Sequence, residues 1–135
     1  MKYKILIVSS NYYADISNSL LKNARSILQN RAKLKVINVP GVFEIPVVIA
    51  KNVKKFDAFV VLGCVIKGET PHFDLISQAT TNAIMNLSIE NKKPIGNGII
   101  TCHNKKQALE RADPNKKNVG GEAVSAALQS LMYFK

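Results

Sequence analysis

The segment from Asp57 to Asp74, DAFVVLGCVIKGETPHFD, restricts the fold more than any other stretch of the chain. Residues 58 to 66 are continuously apolar, with three valines, an isoleucine and only Gly63 lacking a side chain. A run of that length and β-branched content reads as a strand buried on both faces. The polar residues Lys67, Gly68, Glu69, Thr70 and His72 then fall at the carboxyl end of that strand, where ligands bind in open parallel α/β sheets.

A strand covered on both sides needs helices above and below it, and the rest of the chain supplies them. At 135 residues the length fits one domain, 1 to 135, and an apolar content of 47% excludes a disordered chain. KILIVS at 4 to 9 gives a first strand, and Ser10 to Tyr13 a loop. Ile16, Leu20, Leu21, Ala24, Ile27 and Leu28 then recur at helical spacing, with Asp15 or Ser17 as the expected cap and an end near Asn30. LKVINV at 34 to 39 alternates apolar and polar residues, as a more exposed strand does. After Pro40-Gly41, a helix is expected over 42 to 53. Pro46 fits only in its first turn, which puts Glu44 at the helix start.

A further helix spans 72 to 90, and its alanines invite close packing against another helix or another subunit. Residues 95 to 102 form a fourth strand in which Gly96 and Gly98 flank Asn97, a pattern of close ligand approach or of a β-bulge. Asn104 caps a helix through Ala108 to Ala112, Asp113-Pro114-Asn115 makes a turn, and the last helix runs over 119 to 133. Strand and helix alternate four times, the pattern of a four-stranded parallel sheet with helices on both faces.

The formal charge is +10, from nineteen Lys and Arg against nine Asp and Glu, which favours anionic partners. The lysines are scattered in pairs along the chain, with no arginine-rich segment and no RNP-like or KH-like run, so a small anionic substrate fits at least as well as nucleic acid. No apolar run is long enough to span a bilayer, and the basic start leads directly into a core strand, so a cytoplasmic domain is expected. Cys64 and Cys102 lie in apolar runs outside any CxxC pair and read as buried thiols. The first strand-to-helix turn, SSNYYAD, has no glycine and cannot be a dinucleotide loop, and no GxxxxGK[ST] or GxSxG occurs. His72 and His103 lack acidic partners at ligand spacing, so no metal is expected.

What remains is a set of residues at the strand ends: Tyr12, Phe43 and Glu44, Lys67 to His72, Asn97, and Arg111. An aromatic ring, a carboxylate, a Gly-Glu-Thr segment able to present backbone N–H groups, a histidine and an arginine can together hold a planar polar heterocycle and a phosphate.

The segments that carry these residues, PGVFEIP at 40 to 46, GCVIKGETPHFD at 63 to 74, GNGIIT at 96 to 101, and ALERAD with GGEAVSAAL over 108 to 128, resemble the lumazine synthase family in the same order along essentially the whole chain. The resemblance implies a flavodoxin-like three-layer αβα sandwich, no cofactor, and the condensation of 5-amino-6-(D-ribitylamino)uracil with 3,4-dihydroxy-2-butanone 4-phosphate in riboflavin synthesis. It implies active sites shared between neighbouring subunits of a pentamer, with riboflavin synthase as a further partner. By the same resemblance Tyr12 stacks on the pyrimidine, Phe43 borders the ribityl chain, and Glu44 accepts hydrogen bonds from its hydroxyls. Val65, Ile66 and Lys67 line the ring, with Asn97 near the pyrimidine. Gly68, Glu69 and Thr70 form the phosphate nest, His72 transfers protons, and Arg111 grips the phosphate from across the interface.

The chain departs from the family's usual pattern at Asn11, Lys67 and Val119, where arginine, arginine and lysine are common. It also begins almost at its first strand, and family members that close into sixty-subunit shells carry an extra N-terminal strand. A free pentamer or a pair of pentamers is therefore the expectation. The alternative from another class is a binding module, a lumazine or flavin carrier or an RNA-contacting domain, whose lysines should then share one continuous face.

Overall fold

The computed structural model describes residues 2 to 134. Its sheet is parallel throughout, in the order β2-β1-β3-β4, built from β1 (Tyr3–Ser10), β2 (Ala32–Val39), β3 (Ala58–Ile66) and β4 (Ile95–Cys102). Between and after them come α1 (Ala14–Leu28), α2 (Ile45–Asn52), α3 (His72–Asn91), α4 (Lys105–Ala112) and α5 (Val119–Leu131). Short 3-10 turns precede α2 at Val42–Glu44 and follow α5 at Met132–Phe134.

Residue parity along the two central strands divides the core. Ile5, Ile7, Val60 and Leu62 pack against Ile16 and Leu20 of α1 and Val124 and Ala127 of α5. Leu6, Val8, Phe59 and Val61 face the other way, onto Ile45 and Ile49 of α2 and Ile84 of α3. The expected double-sided burial is observed over residues 58 to 64, with Val65 and Ile66 half-buried, and the same holds for β1 from Ile5 to Ser10. Each fully buried aliphatic or aromatic side chain contributes about 1.5–3 kcal/mol of transfer free energy, so these two strands anchor all three layers. β2, at the sheet edge, is only partly covered, as its alternating pattern predicts.

Several local expectations are corrected. Neither Asp15 nor Ser17 caps α1: the capping position is Tyr13, without a side-chain bond. Asp15 instead pairs with Lys105 at 2.6 Å, and the Ser17 hydroxyl donates to the Ser10 carbonyl. The segment expected as one helix from Val42 starts as a 3-10 turn and becomes α-helical at Ile45. Pro46 does lie in the first turn, and Glu44 occupies the capping position. Asn104 caps α4 as expected, its Oδ1 accepting from the Gln107 N–H at 2.9 Å.

Gly96 and Gly98 form no bulge, and within the chain both lie against α5. β4 pairs with β3 in unbroken register through Val60↔Gly96, Val61↔Asn97 and Leu62↔Gly98. A Cβ on Gly96 would stand 2.0 Å from the carbonyl oxygen of Ala123, and one on Gly98 would stand 2.6 Å from Leu62 Cδ2. The missing side chains let α5 lie directly on the strand, close helix-on-sheet packing that any larger residue would prevent.

Candidate functional site

The strand order reverses between β1 and β3: β1 leads by α1 to β2 on one side, while β3 leads by α3 to β4 on the other. At such a switch point the loops at the carboxyl ends of neighbouring strands diverge and leave a crevice. A cavity of about 600 Å³ opens there.

Seven of the residues singled out in the sequence reach its wall: Tyr12, Phe43, Val65, Ile66, Gly68, Thr70 and His72. They come from three separate segments, following β1, β2 and β3, brought together because parallel connections return every loop to the same end of the sheet. Tyr12 and Phe43 are largely exposed, at 74% and 65%, so the two rings project at the mouth. Thr70 Oγ1 accepts from the His72 N–H at 3.4 Å, which shapes the loop as it turns into α3. A Cβ on Gly68 would meet nothing within 4 Å, leaving open space beside that backbone.

Glu44 follows Phe43, half-buried. Its Oε1 lies 3.2 Å from where a Cβ on Gly41 would stand, and Gly41 itself lines the cavity. Lys67 and Glu69 are exposed on the loop and outside the lining. The Lys67 N–H donates to the Cys102 carbonyl at 2.9 Å, extending the β3–β4 pairing to the base of that loop.

Asn97 and Arg111 are not at the cavity of their own chain. Asn97 is exposed on the edge strand, opposite Val61, with its Oδ1 accepting from the Ile99 N–H at 3.0 Å. Arg111, in the last turn of α4, donates from Nη1 to the Thr101 carbonyl at 3.0 Å. One chain thus holds the candidate residues in two groups.

Sequence reasoning missed Ser10, Tyr13, Phe73 and Ile76, which also line the cavity. Tyr13 was legible as the second aromatic of the loop; its ring meets Tyr12 edge-on at 5.0 Å between centroids. Burial first, then Tyr12, Cys64 and Cys102, raise its phenol above the usual 10.0, so at neutral pH it is a hydroxyl able to donate. Cys64, in the cavity wall, is pushed up to about 12 by burial, with Cys102 adding to the effect. It is a protonated, inert thiol at neutral pH.

With this arrangement in hand, comparison with known proteins is decisive. The sequence model of the 6,7-dimethyl-8-ribityllumazine synthase family matches residues 2 to 135. The chain belongs to the 6,7-dimethyl-8-ribityllumazine synthase family. Among curated relatives, the 6,7-dimethyl-8-ribityllumazine synthase of Bartonella tribocorum is 46% identical over 131 residues, covering 94% of this chain and 87% of the relative. 6,7-Dimethyl-8-ribityllumazine synthase 1 of Rhodopseudomonas palustris is 42% identical over 136 residues, covering 95% and 83%. The Zymomonas mobilis enzyme of the same name is 41% identical over 128 residues, covering 93% and 91%. Membership of the lumazine synthase family agrees with the three-layer fold, and the family's activity is a transferase step of riboflavin biosynthesis. Among the described residues no helix is long and apolar enough to cross a membrane.

Proposed function

We propose that the chain condenses 5-amino-6-(D-ribitylamino)uracil with 3,4-dihydroxy-2-butanone 4-phosphate, giving 6,7-dimethyl-8-ribityllumazine, orthophosphate and water. The observation that carries this reading is the family match over residues 2 to 135, on a chain whose cavity lies at the switch point. The chemistry asks for little beyond positioning and proton movement. An amine nitrogen adds to a ketone carbon, phosphate leaves, and two waters are lost as the second ring closes. Tyr12 stacks on the pyrimidine, beside the wall formed by Val65 and Ile66. Phe43 borders the ribityl chain and Glu44 accepts hydrogen bonds from it. The amides of Gly68, Glu69 and Thr70, at the start of α3, hold the phosphate with help from the Lys67 charge. His72 moves the protons, and Arg111 stabilises the departing dianion.

Arg111 and Asn97 lie away from their own chain's cavity, which supports a site completed by a neighbouring copy. A closed ring of identical chains, a pentamer, brings Arg111 and Asn97 of one copy to the cavity of the next. The protein then works in the cytoplasm, needs no cofactor, and hands its product to riboflavin synthase.

The test is incubation of the purified protein with both substrates, following lumazine absorbance and phosphate release together. A folded protein that yields neither refutes the reading. Arg111→Ala is expected to lower turnover on the order of a hundredfold and His72→Ala about tenfold, because positioning and charge stabilisation outweigh proton relay here. A larger loss from the histidine change overturns that ranking. Reassembling equal amounts of the two variants from denaturant should restore roughly a quarter of wild-type activity if the site is shared between copies, and nothing beyond the mean of the two if it is not.

A further inference from the structure

The amino end of the sheet, opposite the cavity described above, carries a second concave surface. A recess of about 620 Å³ opens there, lined by Lys2, Lys4, Lys33, Lys54, Lys55 and Lys93, with Asp57 contributing a carboxylate. Along the chain these lysines are scattered. The topology gathers them: Lys2 and Lys4 lie at the start of β1, Lys33 at the start of β2, Lys54 and Lys55 in the turn before β3, and Lys93 in the turn before β4. Every strand of the sheet therefore begins beside at least one lysine of the recess.

This arrangement is electrostatically unfavourable when empty. Lys4 and Lys33 are direct neighbours in the β1–β2 ladder, and like charges in that relation repel. Among the described residues the one ion pair joins Lys105 and Asp15, neither of which lines this recess, so its ammonium groups have no carboxylate bound to them. Asp57 is engaged by backbone, its Oδ2 accepting from the Lys4 N–H at 2.7 Å. Lys93 is held in place, its Nζ donating to the Phe56 carbonyl at 2.7 Å. A ligand that brings several negative charges removes the repulsion.

The spacing selects the kind of anion. Neighbouring strands are about 4.8 Å apart, so the row of charges from β2 across β1 and β3 to β4 extends over roughly 14 Å. A single orthophosphate meets one or two of these groups, whereas consecutive phosphates along a chain meet the whole row. Lysines supply point charges without the bidentate fork that arginine uses to read a base edge. Phe56, the aromatic of the recess wall, is half-buried against Phe59 with centroids 6.0 Å apart, and is not free to stack on a base.

We propose that this recess binds a chain of consecutive phosphate groups, such as a single-stranded nucleic acid backbone or inorganic polyphosphate, without reading a base sequence. The test titrates the full-length assembled protein into fluorescently labelled single-stranded RNA homopolymers, with inorganic polyphosphate of similar length as a competitor, between about 50 and 200 mM salt. Binding should weaken with a log–log salt slope of about −3 to −4, as expected for four to six neutralised phosphates on a single strand. Homopolymers of different base should bind within about twofold of one another, and orthophosphate at the same phosphate concentration should not compete.

The paired change Lys54→Glu and Lys55→Glu should weaken binding at least about tenfold and flatten the slope. Lys116→Glu with Lys117→Glu makes the same change in net charge outside the recess and should leave affinity within about twofold. Equal losses from the two pairs would mean that net charge alone drives association, and would overturn the proposal. Absence of binding at the lowest salt by a folded protein would overturn it as well, as would retention on anionic vesicles with neither phosphate chain bound. RNA binding that polyphosphate of similar length does not displace would mean that something other than the phosphate chain is recognised, and would overturn the proposal; displacement by polyphosphate, or direct binding of polyphosphate alone, supports it and the relative affinities name the source.

Discussion

Helices α5 and α3 cover the β3–β4 half of the sheet from opposite faces, and they bury themselves in opposite ways. Thirteen residues of α5 place Gly120, Gly121, Ala123, Val124, Ala127 and Leu131 out of solvent. The twenty residues of α3 bury only Thr80 and Ile84, while Leu75 and Ile89 are each 66% exposed. Met85 on α3 and Phe43 and Val47 in the neighbouring turn and helix are exposed as well. The small residues of α5 let backbone approach backbone, so that helix is completed within its own chain. The large apolar residues of α3 remain outside, and exposed apolar surface suits contact with another protein surface. One face of the sheet is finished by the chain itself; in the proposed ring the other is finished by a neighbouring copy.

The sharpest way to break that contrast is at β4. A methyl on Gly96 meets the Ala123 carbonyl at 2.0 Å, a backbone atom that cannot rotate aside. Gly96→Ala should therefore lift α5 from the sheet and cost about 3 kcal/mol or more, at the upper end of overpacking changes. Gly68→Ala, at a position where a Cβ meets nothing within 4 Å, should stay within about 0.5 kcal/mol. Urea unfolding of both variants checks the pair, and a Gly96→Ala protein as stable as Gly68→Ala would mean that α5 is not tightly seated. The α3 side predicts the reverse. Ile89→Asp should change the stability of the isolated chain by less than about 0.5 kcal/mol. Sedimentation should nevertheless show a smaller assembly, and activity should fall with it. A variant that instead unfolds would place Ile89 in the chain's own core and erase the difference between the two helices.

The same contrast explains what was legible in the sequence. β3 could be read directly because nine successive residues carry the signal of double-sided burial without reference to any partner. The loop after it was legible because polar, glycine and histidine residues interrupt an apolar run at the place where open α/β sheets bind ligands. Gly96 and Gly98 announced a close approach but not its author, since Ala123 lies far along the chain and only the fold brings it over β4. Tyr13 and Ser10 were passed over because residues beside a recognised aromatic carry no separate periodic signal. Ser17 read as a helix cap because its local spacing allowed it, whereas its hydroxyl turns back to the end of β1. The lysines read as scattered for a related reason: a parallel sheet begins all its strands at one end, and pairs distant in sequence become a single row.

The smallest effect is confined to alkaline solution and tests how dry the α5-side core is beneath the cavity. Burial moves the Cys64 thiol from its ordinary 9.0 to about 12, with Cys102 adding to the shift. A thiol is neutral when protonated, so the folded chain keeps this proton over a range in which the unfolded chain has released it. Stability should thus be independent of Cys64 below its ordinary pKa of 9.0 and decline as pH rises from there towards about 12. Tyr13 titrates in the same sense because burial raises its phenol too. The informative quantity is therefore the difference between wild type and Cys64→Ala in urea midpoint, followed from neutral to alkaline pH. Cys64→Ala carries a constant deficit from its lost volume, and that deficit should shrink above the thiol's ordinary pKa as the wild type alone pays for holding the proton. Parallel curves would mean that water reaches the thiol, and that the packing of α1 and α5 over Cys64 is looser than the closely seated half of the comparison requires.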